Sequence, residues 1–470
     1  MLPLLKNLRV DAMAGVTEKL AVFASDLEYE DLPAAVIERT KMLILDITGI
    51  MVRARHDVES TASLIRAVSR MELTGGSCSV LGDSATYTPS AAALINGTLA
   101  HSLDFDDTHA EGSLHSSAPI VPAALAAAEI SSASGRDLIT AVVAGFEIQI
   151  RLSMALNPAE HYERGFHPTA TCGVFGAAAA TSKLLGLGAA DTQSAFGIAL
   201  SQAAGSMEFL ADGAWTKRSH VGQAAQNGLM CAFMAGEGFK GVKDAFEGRR
   251  GFFNSYAPNP VPDKAVAGLG ETWETLRLAL KPYPSCRYSH AAMQALITIR
   301  EEHSLDWSNI EEVDIGLSEA GWNLIGDPLK DKRQPRSVVD GQFSMPFCAA
   351  VVLREGNMYW DDYKKHLDDD DTLALCRKIN VTVDPRAQSE FPANMAGLAR
   401  VKSDGQSFEK FVSMPKGEPD NFMSQEEIRA KFDGLCQPYL GEEGSNKLAG
   451  AILALEEANS VGTFMALSRS

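Results

Sequence analysis

The hydrophobic pattern of this chain changes period twice, and that change constrains the fold more than any other feature. Helical signals dominate to about residue 245. The first helix opens at Leu32-Pro33, with Val36, Thr40, Leu43, Ile44 and Ile47 on one face. Gly75 to Asp83 is a short extended or turn-rich exception. After about residue 270 a period of two takes over. Ile310 to Leu317 carries apolar residues at 313, 315 and 317, and Lys378 to Asp384 alternates through Ile379, Val381 and Val383. Ala399 to Lys402 and Ser407 to Val412 flank Asp404-Gly405, a hairpin-turn signal. Helical segments, Phe343 to Leu353 among them, fall between the first two strands. At Ser424-Gln425-Glu426-Glu427 a capping box restarts a helix through Ile428, Phe432 and Leu435, and helix continues near Asn446 to Ala458. The predicted fold is mainly α. A large, discontinuous all-helical domain over 1–270 and 420–470 is interrupted by a smaller α+β domain over 271–419.

The helical part is dense in small residues: Ala177 to Ala180, Gly186, Gly188, Ala195, Gly197 and Ala203 to Gly205. These suit close helix packing and helix caps. No glycine-rich phosphate loop follows a strand, so nucleotide binding has no support. A net charge of −18 argues against a nucleic-acid surface, which needs clustered Lys and Arg, yet leaves room for a local basic pocket. The seven cysteines (78, 172, 231, 286, 348, 376 and 436) form no CxxC pair and suit reduced thiols. Met1 to Leu5 is apolar but short, with Lys6, Arg9, Asp11 and Glu18 following, so no secretory pattern is read. No apolar run reads as a membrane span. The expectation is a cytoplasmic protein with neither membrane nor nucleic-acid partners.

Residues 101 to 115 gather three histidines and four carboxylates within fifteen positions, between Ala-rich helical segments. This is either a site or a solvated interhelical loop. Further segments carry chemistry-bearing side chains. His167 precedes Pro168 and so lies in a turn or extended piece. Thr216-Lys217-Arg218-Ser219-His220 is either a basic surface turn or a clamp for a di- or tricarboxylate, Arg offering a fork and Lys a point charge. In Lys281-Pro282-Tyr283-Pro284-Ser285-Cys286-Arg287-Tyr288-Ser289-His290 two prolines fix the backbone near the expected domain junction. Cys286 there is either a nucleophile or a buried inert thiol. Asp340 to Pro346 reads as a helix start. Asp368 to Asp371 reads as a solvated loop or helix start. Asp104, Asp106 and Asp107 lack the spacing of a calcium loop, and no metal ligand set is expected.

Taken in order, these segments resemble the MmgE/PrpD family, which includes 2-methylcitrate dehydratase, cis-aconitate decarboxylase and iminodisuccinate epimerase. The resemblance runs from Leu43-Ile44-Leu45-Asp46 through His-Ser-x-Asp-Phe-Asp-Asp-Thr to Lys281–His290. It implies a helical domain with an α+β lid, a homodimer, an active site in a cleft between domains, and chemistry without a cofactor. By similarity, Asp104, Thr108, His115, His167, Lys217 and Lys281 are the catalytic positions. Arg218, His220, Tyr283 and Cys286 are expected to bind substrate. The implied activity is a lyase acting on a small di- or tricarboxylate, by dehydration or decarboxylation. The alternatives are an epimerase of an imino- or amino-dicarboxylate, and a non-catalytic binding protein.

Overall fold

The computed structural model describes residues 14–211 and 213–469. The segment from Met1 to Asp11, read in sequence as lacking a secretory pattern, lies outside them. The chain divides into two compact units. One runs as far as Leu278 and resumes at Ser424; the other is Ala279–Met423. The mainly helical reading holds, with the small mixed sheet in the C-terminal part.

In the first unit the helices that position the candidate site are α1 (Ala34–Asp57), α2 (Pro89–Ala100), α3 (Ser117–Ser131), α4 (Gly135–Ala155), α5 (Gly173–Leu184) and α6 (Thr216–Gly236). Helix α6 packs on both α2 and α5, and glycine makes both approaches possible. A Cβ on Gly222 would lie 2.3 Å from the Leu94 carbonyl oxygen, and one on Gly228 would lie 2.5 Å from the Ala177 Cβ. The small-residue stretch does serve packing, and Gly186 ends α5 in the left-handed conformation (φ 66°).

Sequence reading found no apolar run of membrane-span length, and α4 corrects it. Its 21 residues are long and apolar enough by length and composition. The whole apolar window is buried inside the unit, where Glu147 and Arg151 pair at 3.0 Å with each side chain 1% exposed. Arg151 also donates to the carbonyls of Ala267 and Thr272, both at 2.6 Å. The central helix of a large helical core meets the same apolar requirement as a membrane segment, and apolarity alone does not separate the two.

The second unit carries a four-stranded sheet of β1 (Ile310–Leu317), β2 (Ile379–Val383), β3 (Gly397–Ser403) and β4 (Gln406–Val412), in the order β2-β1-β3-β4. β1 and β2 are parallel; the other pairs are antiparallel. The Asp404-Gly405 turn has both residues at positive φ, 50° and 70°, the geometry a two-residue hairpin needs. Helices α7 (His290–His303) and α8 (Met345–Glu355) cover one face of the sheet, where Val313, Ile315, Val381, Ala399 and Val401 are buried.

The last long helix, α9 (Gln425–Leu453), opens with the predicted capping box and packs on α1 in the first unit. It is kinked at Gly441, beyond Pro438, so the two helical patterns read from sequence form one bent element.

Candidate active site

Helix α2 ends at His101, and the chain then makes an irregular excursion before α3 begins at Ser117. Asp104 takes a positive φ of 52°, and His109 N–H donates to the Leu114 carbonyl at 2.9 Å, closing the neck of the loop. Most polar residues of this loop are turned inward. His101, Asp106 and Asp107 are 2%, 0% and 1% exposed, against the solvated alternative left open by sequence.

Asp107 sits at the N-terminus of α3 and accepts from the backbone N–H groups of Ser116 and Ser117, both at 3.1 Å. Burial and the neighbouring Asp106 carboxylate push it up to about 6. Asp106 behaves oppositely. Burial would raise it, but the facing His101 and His115 imidazoles outweigh that and hold it well below the usual carboxylate range. Its Oδ2 lies 2.7 Å from His101 Nδ1 and 3.2 Å from His115 Nδ1. His115 Nδ1 is also 2.8 Å from the Asp107 carbonyl oxygen. Burial pulls His101 down to about 4 against the pull of Asp106, so the ring is neutral at ordinary pH.

Two further elements reach the same cluster. His167 caps the short helix Pro168–Thr171, and its backbone N–H is tied to the Gly205 carbonyl at 3.0 Å. Its ring stacks on His101 at 5.6 Å between centroids, meets Phe209 edge-on at 6.1 Å and lies tilted against His220 at 5.8 Å. Burial above all, and then the repulsion a protonated ring would meet from its neighbours His101, Lys217, His115 and His220, lowers it well below the ordinary imidazole value. Its Nδ1, like that of His220, is buried and has no hydrogen-bond partner among the described residues. From the first turn of α6, Lys217 Nζ donates to Asp104 Oδ1 at 3.0 Å. Burial would lower the ammonium, but Asp104 and Asp106 outweigh it and the pKa is raised, so Lys217 stays charged.

Asp104, His115, His167, Lys217 and His220 therefore share one cluster. The buried Thr108 hydroxyl lies on the same loop without a partner among the described residues. The Thr216–His220 segment is the first turn of a helix rather than a turn between helices. Arg218 turns to α-helix Glu59–Arg70 and donates to Ser60 Oγ at 3.0 Å. Lys281, Tyr283 and Cys286 belong to the second unit, where all three are buried. The Tyr283 ring meets His290 edge-on, and the Cys286 N–H donates to the Gln342 carbonyl.

Sequence reasoning singled out the 101–115 run but passed over His101 and Asp106 within it. The available signal was their presence in the same polar string. Missed as well was the support beneath it. Lys431 on α9 reaches the Phe105 carbonyl at 2.9 Å, Asp46 of α1 at 2.7 Å and the Phe105 ring centroid at 3.6 Å. His101, Asp106 and His115 do bring three potential metal-ligand atoms within 4.8 Å. Sequence reading expected no metal ligand set, and these three residues are of the kind that could form one; within the protein they are joined by hydrogen bonds, His101 Nδ1 with Asp106 Oδ2 at 2.7 Å and His115 Nδ1 with the Asp107 carbonyl at 2.8 Å.

A pH prediction follows from His167. An unfolded imidazole titrates near about 6.5, the folded one lower, so in between the unfolded state binds the extra proton. Stability is thus lost as pH falls below the unfolded value. His167→Gln removes this loss, so its melting temperature should rise relative to wild type between about pH 7.5 and pH 5.5. A difference that stays constant across that range would contradict the neutral buried ring.

Comparison with known proteins places the chain. Residues 18–264 match the MmgE/PrpD N-terminal domain and residues 283–457 match the MmgE/PrpD C-terminal domain. A cis-aconitate decarboxylase-like protein, oryM, of Aspergillus oryzae is 32% identical, over 96% of this chain and 97% of its own. The cis-aconitate decarboxylase of Aspergillus terreus is 30% identical over 97% and 96%. That of Homo sapiens is 26% identical over 95% and 92%.

Proposed function

This chain belongs to the MmgE/PrpD family, and from that premise we propose that it is a cofactor-independent lyase that removes carbon dioxide from a small tricarboxylate of the cis-aconitate type. The observation that carries the reading is the convergence of His115, His167 and the Lys217–Asp104 pair on one Asp-rich loop. Support comes from the end-to-end similarity to proteins named for that reaction.

The reaction breaks a carbon–carbon bond, and the released electron pair spreads toward a neighbouring double bond and carboxylate. A fixed cation is needed where that charge develops, and Lys217 supplies one without a metal. Asp104 fixes the direction of the ammonium at 3.0 Å and keeps it protonated. A proton must then reach carbon, and His115 and His167 are the groups suited to carry it. His167 is neutral in the free protein because burial and surrounding positive charge penalise its proton. A polyanionic substrate reverses that field, so the ring gains its proton when substrate arrives. The new carbon–hydrogen bond replaces the broken one, and water restores the proton to the imidazole.

The test is a panel of di- and tricarboxylates followed by NMR of the products. The expected result is carbon dioxide released from cis-aconitate, with retention of the other two carboxylates. Loss of water from a hydroxylated tricarboxylate, or solvent deuterium exchanged into a dicarboxylate with no mass lost, would replace the reading by dehydration or epimerisation.

A further inference from the structure

Asp106 is fully buried, and a single oxygen of it faces the Nδ1 atoms of two imidazoles, His101 at 2.7 Å and His115 at 3.2 Å. His115 Nδ1 also meets the Asp107 carbonyl oxygen at 2.8 Å. An ionised carboxylate and a carbonyl can only accept hydrogen bonds. Both Nδ1 atoms must therefore carry hydrogen. A neutral imidazole has one N–H, so both Nε2 atoms are left as lone-pair acceptors. His101 Nε2 is buried with no hydrogen-bond partner among the described residues. The carboxylate cannot readily swing away, because its neighbours are pinned on both sides. Lys431 holds the Phe105 carbonyl, and the start of α3 holds the Asp107 carboxylate.

We propose that Asp106 is a positioning residue that, together with the Asp107 carbonyl beside His115, locks His101 and His115 into the same Nδ1–H tautomer, and that His101 is a second imidazole prepared, with His115, to accept a proton through Nε2. The proposal rests on the decarboxylase reading for its consequence in turnover but not for the tautomers themselves. Asp106 acts only through the rings. Its oxygen sets which nitrogen is basic, in the way a buried carboxylate orients the histidine of a hydrolytic triad.

Removing the accepting oxygen tests this. Because one oxygen faces both rings, the amide of Asp106→Asn could still accept from both and would not test the lock; the variant is therefore Asp106→Leu, which has no accepting oxygen. The first measurement is nitrogen-15 NMR of the histidine-labelled full chain without substrate, at about pH 8 where neutral rings prevail, with His101→Gln and His115→Gln for assignment. Wild type should show both rings protonated at Nδ1, and the Leu variant should shift at least one ring, His101 first, toward Nε2–H. The second measurement is steady-state kinetics. Turnover should fall about 10²–10⁴-fold with KM little changed, and Asp106→Glu should recover part of the loss.

Wild-type rings protonated at Nε2 would overturn the proposal outright, even if the Leu variant does not fold. So would a Leu variant that keeps both tautomers, or one that decarboxylates at the wild-type rate. Absence of decarboxylation on every tricarboxylate, with the tautomers as expected, overturns the functional reading and leaves the lock supported.

Discussion

His167→Gln lowers turnover by about 10²–10⁴-fold and leaves the melting temperature at neutral pH close to wild type. The ring lies within a cluster of imidazoles and ends in a nitrogen that no described residue satisfies. A histidine kept for structure would spend that nitrogen on a protein partner, as His161 does with the Tyr256 carbonyl and the Thr171 hydroxyl. His115→Gln falls in the same range for a different reason. Its Nδ1 is committed to Asp106 and Asp107, so the other nitrogen is the one available to substrate. The measurement is turnover and melting temperature on the same preparations. Lost stability with unchanged turnover per folded molecule would assign both rings to the scaffold.

Lys431→Met destabilises the protein by about 3–5 kcal/mol, the cost of leaving a buried charge without its partner. The Lys431 and Asp46 side chains are 5% and 2% exposed at 2.7 Å separation. Burial already raises the Asp46 pKa, and Lys431 is the cation opposing that. Without the ammonium the carboxylate must protonate or draw water into a packed helix interface. The Phe105 carbonyl loses its donor at the same time. Adding Asp46→Asn should recover much of the loss, because the two effects belong to one contact and are not additive. Chemical denaturation of the two single variants and the double variant gives the coupling. Additive losses would mean that the pair does not hold α1 and α9 together.

The features legible in sequence are those set by local chemistry. The Asp404-Gly405 hairpin needs two residues that accept positive φ, and that dipeptide supplies them. The Ser424 capping box and the alternating β1 and β2 strands are equally local, so the mainly helical fold with a small sheet follows from them. Contacts between distant segments were not legible. Lys431 reads as one polar position on an amphipathic helix, and nothing nearby announces a partner on α1. The pairing of His101 with Asp106 depends on the left-handed turn at Asp104, which no glycine marks. Thr216 to His220 left a surface turn and a carboxylate clamp equally open in sequence, because five polar residues precede the apolar pattern of α6. Helix α4 misled in the opposite sense, because Glu147 and Arg151 are neutralised against each other and against backbone carbonyls.

In the proposed reaction an imidazole–ammonium cluster, without a metal, carries a proton to carbon as carbon dioxide leaves. The decisive experiment turns over cis-aconitate in deuterium oxide after exhaustive chelation and follows product and carbon dioxide together by NMR. The expected result is turnover equal to that of the unchelated enzyme in the same solvent and one deuterium on carbon for each carbon dioxide released. Activity abolished by chelation and restored by a divalent ion, or carbon dioxide released with no deuterium entering the product, would contradict it.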